Sequence, residues 1–420
     1  MNKCVIAGLI VACFALPAVA QTSVQIYGIA DAGVMWQKGG PTKIVSGGAD
    51  GSRIGFKGSE EIGNGFKAIF NLFSRVELDT GTQQPTLIND NTGLYLTRGM
   101  EALGPTLLQQ VRTGLQMPGA PAVNREGALF DRTTMVGLVT PVGAILLGRM
   151  YTPGYEVFAL SDVFEVGTAG TWGGITGGTA GFSALGADIR SQEAIQYRIA
   201  LPSGLGGSIM YGPRNSGYFG LYRKFRGGAI TYKAKGFDVG LGYNHGYDMQ
   251  DRPSLRTLTV GGSYTLGNWK LFAGYHDQRN KNSALIPTYL GAWDALIAPN
   301  LPVPLRPALR TVFETNIIEN TKQDANSYQL GLHYKIGNGR LMASYAHQND
   351  QLPSNSDADL FAIGYDYFLS KRTDLYTVAG FINNQNDGQY TPGTAGSPGG
   401  FTEQPGDNGR AFQIGIRHRF

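Results

Sequence analysis

Cysteine is almost missing from this chain: the only two, Cys4 and Cys13, lie within the first twenty residues. The remainder therefore has no disulfide to staple it. Long apolar runs are scarce as well. Beyond residue 20 no uncharged apolar stretch reaches about 18 residues, so no transmembrane helix is expected. Neither sign of charge dominates, with a formal balance of +4 at pH 7 that becomes +3 without Lys3. A balance that mild argues against nucleic acid as a partner. The five histidines (His245, His276, His333, His347 and His418) show no metal-ligand spacing and no nucleophile motif beside them. Neither a cofactor nor a catalytic centre is expected.

What is present begins with a targeting signature. Lys3 gives a positive start, Val5 to Leu16 an uncharged apolar stretch, and Pro17 a break. Ala18, Val19 and Ala20 then have the small-x-small form that signal peptidase cuts. Residues 1–20 are expected to be a cleaved signal peptide, removed after Ala20, and residues 21–420 one exported domain. A lipobox reading of Ile10 to Cys13 would leave a very short signal. A membrane helix would need about 20 apolar residues.

Strict alternation then runs through the chain. Phe237, Val239, Leu241 and Tyr243 alternate with Asp238, Gly240, Gly242 and Asn244. Tyr328, Leu330, Leu332 and Tyr334 alternate with Gln329, Gly331, His333 and Lys335. Period two over eight residues defines a strand with one apolar face. The pattern predicts sixteen strands, near 22–37, 51–61, 65–79, 128–139, 142–150, 191–201, 205–213 and 218–235. The other eight fall near 236–247, 255–266, 268–277, 325–336, 339–349, 358–369, 372–382 and 410–420.

Short connections near 62–64, 140–141, 202–204, 267, 337–338 and 370–371 alternate with longer ones, the largest near 80–127, 151–190, 278–324 and 383–409. Loops sorted by parity in this way mark an all-β, sixteen-stranded antiparallel transmembrane β-barrel, with short periplasmic turns and long extracellular loops. Its mean hydropathy of −0.14 fits, because every second residue faces water. Segments 80–127 and 278–324 (the latter with Pro299, Pro302, Pro304 and Pro307) read as surface loops or linkers, and 391–406 as a loop without fixed structure. At the end of the chain Phe412, Ile414, Ile416 and Phe420 share one face, as a last strand closing on the first would require. Outward aromatics such as Tyr243, Tyr264, Trp269, Tyr275, Tyr334 and Tyr367 are expected at the two membrane interfaces.

Several stretches carry a family resemblance: Ser23 to Gly33, Ser52 to Phe70, Leu147 to Arg149, Tyr365 to Tyr376 and Gly415 to Phe420. Together they resemble the trimeric general porins of Gram-negative bacteria, especially the β-proteobacterial type. The resemblance implies a homotrimer in the outer membrane, bounded by lipid and lipopolysaccharide, with the third long loop folded into the lumen to narrow it. Residues 80–127 depart from the family by enlarging the second long loop, and 278–324 by enlarging the sixth.

A passive channel needs a constriction whose width and charge decide what passes. By parity Arg53 shares the lumen face with Lys57, opposite Ile54 and Phe56, and Arg75 shares it with Lys67 and Asn71. Arg132 and Arg149 are further candidates. The resemblance implies wall arginines at Arg53 and Arg132, facing acidic residues on the inward loop. Here that loop offers Glu156, Asp162 and Glu165. Opposed rows of charge would orient dipolar solutes and repel apolar ones, and a basic lumen would favour anions. The expected function is passive diffusion of small hydrophilic solutes and ions through a water-filled channel. A substrate-selective channel for small organic anions is the nearest alternative, with an outer-membrane enzyme or adhesin behind it.

Overall fold

The computed structural model describes residues 23–83, 88, 91–115, 127–176, 188–217, 220–393 and 400–420. The expected signal peptide lies outside them. Seventeen strands follow in chain order: β1 (Ser23–Gln37), β2 (Lys43–Ser46), β3 (Arg53–Gly63), β4 (Phe66–Arg75), β5 (Thr133–Thr140) and β6 (Gly143–Tyr151). Next come β7 (Arg190–Ala200), β8 (Leu205–Gly212), β9 (Lys224–Ala234), β10 (Phe237–Tyr247), β11 (Pro253–Leu266) and β12 (Trp269–Asn280). The last five are β13 (Gln323–Ile336), β14 (Gly339–Asp350), β15 (Ala358–Phe368), β16 (Thr373–Asn384) and β17 (Gly409–Arg419).

Sixteen of these form one closed antiparallel wall. The short β2 pairs only with β1, at Ala32–Met35. Closure runs from Ile29 opposite Arg419 to Gln37 opposite Ala411, and the Gly28 and Phe420 backbones exchange two hydrogen bonds at 3.1 Å. A side chain at Gly28 would strike the Phe420 ring. The Phe420 ring therefore seats over a residue without a Cβ, and the sixteen-stranded wall closes on itself.

Alternation holds throughout. Ile26, Ile54, Val136, Leu147, Ile230, Leu330 and Ile363 stand exposed on the outer face. Outward aromatics sit in pairs at the periplasmic turns, with ring centroids 4.4 Å apart for both Trp269–Tyr334 and Phe237–Tyr264. Tyr243, Tyr275 and Tyr328 stand toward the opposite rim. The two rows are about 20 Å apart along the strand at ~3.4 Å per residue, which suits a lipid-facing band between two girdles. Residues 76–79, 128–132 and 220–223, expected as strand, lie outside β4, β5 and β9, and 218–219 lie outside the described residues.

The enlarged loops are not the irregular segments expected. The second contributes helices α1 (Thr92–Leu96) and α2 (Pro105–Leu115), and the sixth α4 (Ile286–Ala292) and α5 (Arg306–Asn320). The inward loop carries α3 (Pro153–Ser161) between them in sequence. Prolines mark where four of these five helices begin, at Pro105, Pro153, Pro287 and Pro307. Proline lacks the N–H that the first helical turn does not use, so it starts a helix as readily as it breaks one.

Leu108, Val111 and Leu115 on α2 and Phe313 and Ile317 on α5 follow helical spacing and are buried. With Leu96, Met100, Tyr289 and Trp293 they form one apolar core joining the two loops. Trp293 stacks on Phe313 at 4.7 Å, and Tyr95 stacks on Phe401 from the last long loop at 4.0 Å. The loops thus make a helical cap on the extracellular rim. Trp293 is fully buried, so Trp293→Ala should cost the cap about 3–5 kcal/mol. The expected readout is rapid protease cleavage within 80–127 and 278–324 while the barrel stays intact.

Candidate pore constriction

The inward loop starts at Thr152 and travels round the inner wall. Thr152 Oγ1 caps α3 by accepting from the Tyr155 N–H, and Asn244 of β10 holds both ends of the loop. Its Oδ1 accepts from the Gly154 N–H at 3.1 Å, and its Nδ2 donates to Thr152 Oγ1 at 2.9 Å and to Asp188 at 2.7 Å. From there α3 crosses β9–β12, Val163 reaches β13, Phe164 reaches β15, and Ala169 lies against β16 and β17.

A track of inward glycines makes this path possible. A methyl carbon on Gly242 would come within 2.8 Å of Gly154 Cα, on Gly274 within 2.8 Å of Trp172, and on Gly331 within 2.6 Å of Val163. Gly240, Gly364 and Gly380 lie under the loop in the same way. The loop therefore lies against a wall from which side chains have been removed. Gly331→Val should push Val163 off β13 at a cost of about 1–3 kcal/mol, visible as increased open-channel noise.

Asp162 is the organiser of the loop. It is 1% exposed. Its carboxylate accepts from the Phe164 and Val166 N–H groups at 3.0 and 2.9 Å, from Thr171 Oγ1 at 2.5 Å and from Gln329 Nε2 at 3.4 Å. Gln329 Oε1 in turn accepts from the Val163 N–H at 3.0 Å, and His333 Nε2 donates to the Val163 carbonyl at 2.6 Å. Asp162 thus belongs to the loop's internal scaffold and does not present its charge to solvent. That corrects its expected place in an acidic row.

The other two loop carboxylates reach wall arginines that parity alone had not singled out. Glu156 pairs with Arg198 of β7 and Glu165 with Arg340 of β14, the latter at 2.6 Å. Arg340 also pairs with buried Asp366 at 2.7 Å, and Arg417 with Asp374 at 2.9 Å, so an ionic ladder lines the periplasmic half of β14–β17. These residues stand at inward parity positions, and counting charges by parity along every strand would have found them. Asp162 and Glu165 lie on opposite sides of their ordinary values. Burial pushes Asp162 up to about 6, against its hydrogen bonds. Burial raises Glu165 too, but Arg340 outweighs that and holds it at about 2.

The signs give a pH optimum. Between pH 6 and 3.8 the docked loop binds a proton at Asp162 that the released loop does not, so docking strengthens as pH falls. Between pH 4.5 and 2 the released loop binds a proton at Glu165 first, so docking weakens as pH falls. Closures and noise should be fewest near pH 4–5, and Glu165→Gln should abolish their rise on the acid side.

The loop covers the inner wall from β9 to β17, and the opposite arc from β1 to β7 carries the basic side chains. Arg53 and Lys57 project from β3, Arg53 pairing with Asp50 at 2.7 Å and lying 5.3 Å from the Phe73 ring centroid. Lys57 is exposed and sits 4.6 Å over the Tyr27 ring. Arg132 is 6% exposed and donates to the Tyr151 hydroxyl at 3.2 Å. Arg190, not foreseen from the sequence, donates to the same oxygen at 2.8 Å. Two guanidinium groups therefore converge on one phenol hydroxyl, backed by Arg53 and its partner Asp50.

Arg75 and Arg149 leave this set. Arg75 faces inward but is fully buried, locked to Glu77, with its backbone N–H on Asp131 at 2.8 Å. Arg149 lies opposite Thr134 and shares the outer face with Ile145 and Leu147, its Nε donating to the Asp131 carbonyl at 2.7 Å. Arg149 keeps the parity of Ile145 and Leu147, so its expected place on the basic wall is corrected.

A closed antiparallel barrel, apolar outside and polar within, with a loop docked across its lumen, defines a multi-pass outer-membrane channel for passive diffusion. The chain belongs to the Gram-negative porin family, whose model matches residues 7–387. It is 26% identical over 417 residues to outer membrane porin protein 32 of Delftia acidovorans, covering 96% of this chain and 95% of that one. It is 22% identical over 421 residues to the major outer membrane protein P.IB of Neisseria meningitidis serogroup B, covering 97% of both. The solved structure of an anion-selective porin from Comamonas acidovorans superposes with a TM-score of 0.66 at 21% identity, covering 95% of this chain and 100% of that one.

Proposed function

We propose that this channel conducts small hydrophilic solutes without binding one preferred substrate, favours anions mildly, and catalyses no reaction. The preference rests on the convergence of Arg132 and Arg190 on the Tyr151 hydroxyl, with Lys57 nearby over an aromatic ring. The inward carboxylates Glu156 and Glu165 neutralise other arginines and leave this cluster basic. Cations clustered along a narrow lumen create a positive potential there, which raises the local concentration of anions. The relatives add support, one being named for anion selectivity.

Homotrimer assembly belongs to the same proposal. Gly28, Ala30, Gly58 and Ala68 give the outer face of β1, β3 and β4 a low relief suited to another subunit, and the remaining outer face suits lipid and lipopolysaccharide. Proteoliposome uptake tests the transport reading. Flux of succinate should rise linearly with concentration and exceed that of a cation of similar size. Saturation by succinate would favour a substrate-selective channel instead. Conductance lost in steps of three would report the trimer.

A further inference from the structure

One row of side chains on the outer face is basic. Arg226 of β9, His245 of β10, Arg256 of β11 and Arg279 of β12 stand in register across four adjacent strands. Their chain neighbours Gly227, Asn244 and Thr257 face the docked loop at Pro153, Gly154 and Asp188, so the row points out of the barrel. Arg226 and Arg279 are exposed. Tyr243 is two residues below His245 and Tyr275 four below Arg279, which puts the row about 7–14 Å along the strands beyond the extracellular aromatic girdle. That is the level of the outer leaflet's headgroups. β9–β12 lie across the barrel from β1, β3 and β4, so the row faces lipid in a homotrimer as well.

The charge on this row is incompletely balanced. Like charges directly opposite on neighbouring strands repel, and Arg256 stands opposite Arg279. Asp277 relieves part of this, at 2.7 Å from Arg256 and 3.5 Å from Arg279. Asp324 of β13 pairs with Arg279 at 3.3 Å and with Lys281 at 3.0 Å. Two carboxylates therefore serve three cations. Arg226 pairs with no carboxylate among the described residues. The adjoining pairs Lys224–Asp251 and Arg252–Asp248 cancel internally. An excess of positive charge is thus fixed along three strand intervals, or about 14 Å.

Guanidinium groups bind phosphate through paired, charge-assisted hydrogen bonds. A width of three intervals suits two phosphates on one headgroup better than one. On the same strands, Gly262 and Ala273 floor a shallow apolar recess of about 660 Å³ bordered by Ile230, Leu241, Val260 and Leu271. It begins four residues below the row, within reach of a long acyl chain. We propose that the row is a binding site for a doubly phosphorylated glycolipid of the outer leaflet, the lipid A end of lipopolysaccharide. Its phosphates lie on Arg226, Arg256 and Arg279, and an acyl chain lies in the recess. The inference rests on the reading that this outer face meets lipid and lipopolysaccharide, and it assigns the residues.

Native mass spectrometry of the full barrel, refolded in detergent without lipid, tests this with three probes. These are lipid A, lipid A stripped of both phosphates, and phosphatidylglycerol. Lipid A should saturate at one per chain and bind at least about tenfold more tightly than the other two, since one charge-assisted contact is worth about that factor. Arg226→Gln with Arg256→Gln and Arg279→Gln should remove about tenfold or more of that affinity. Arg226→Gln alone, which breaks no ion pair, should remove about threefold. The charge-matched set Lys335→Gln, Lys371→Gln and Arg372→Gln, exposed at the periplasmic rim, should leave it unchanged. Equal affinity for phosphatidylglycerol would overturn the doubly phosphorylated class. Equal affinity for the stripped glycolipid, or in the triple arginine variant, would overturn the site while leaving the outer face in contact with lipid. A barrel that takes up none of the three probes and enters no bilayer would overturn the lipid-facing reading itself.

Discussion

Arg53→Glu combined with Lys57→Glu should turn the anion preference of the channel into a cation preference, read as a change of sign in the zero-current potential across a salt gradient. Both side chains project from the inner face of β3 on the arc that the inward loop leaves uncovered. At about 7 Å from a passing ion and a water-like dielectric, a unit charge is worth about 0.6 kcal/mol. A Debye length near 8 Å removes about half of it. Reversing two charges changes the lumen by four units, or roughly 1 kcal/mol for each ion sign. The two shifts are opposite in sign, so the anion-to-cation ratio should swing by about thirtyfold. Arg132→Gln should move it in the same direction by less, because Arg132 is buried behind Tyr151 and loses one unit. Arg149→Gln serves as the contrast: an outward side chain should leave the ratio unchanged.

Asp162→Ala should release the inward loop. Four donors converge on this carboxylate, two of them backbone N–H groups, and all lie in the interior between loop and wall. Removing the acceptor leaves each donor unsatisfied at about 1–3 kcal/mol, less whatever water recovers. The docked loop should lose about 3–5 kcal/mol, as expected when one partner of a buried charged network is removed. The expected readouts are a larger, noisier unitary conductance and faster passage of solutes that the wild type excludes. Asp162→Asn keeps the shape and an acceptor oxygen, so it should fall between the two.

The barrel was legible because its physics is local and periodic. Alternation such as that of Phe237 to Asn244 survives any tertiary context when one face must meet lipid and the other water, and all sixteen wall strands followed from it. The cap was illegible because its two segments read as loops or linkers. Leu108, Val111 and Leu115 repeat with helical spacing behind Pro105, and Pro307, one of the prolines that marked 278–324 as irregular, stands at the start of α5.

The constriction was legible only in part. Parity placed Arg53 and Lys57 on the inner face of β3, but it cannot tell an exposed inward charge from one buried against a partner, as Arg75 is against Glu77. Arg149 was a candidate although its parity with Ile145 and Leu147 already placed it outward. Arg190 escaped notice because it opens a strand at the end of a long loop, and its approach to Tyr151 depends on the loop's docking. The glycine track was visible in Gly240, Gly242, Gly274 and Gly331 as small residues at inward positions. Its meaning emerges only once a second layer is known to lie on it.

The central claim is that positive charge on the open arc of the lumen outweighs the carboxylates around it. A planar-bilayer recording of the purified wild-type protein under a potassium chloride gradient tests this most directly. Stable conductance steps with a zero-current potential displaced toward the chloride equilibrium potential are predicted. Displacement toward the potassium equilibrium potential would contradict the electrostatics of the site, and the absence of steps would contradict the pore itself.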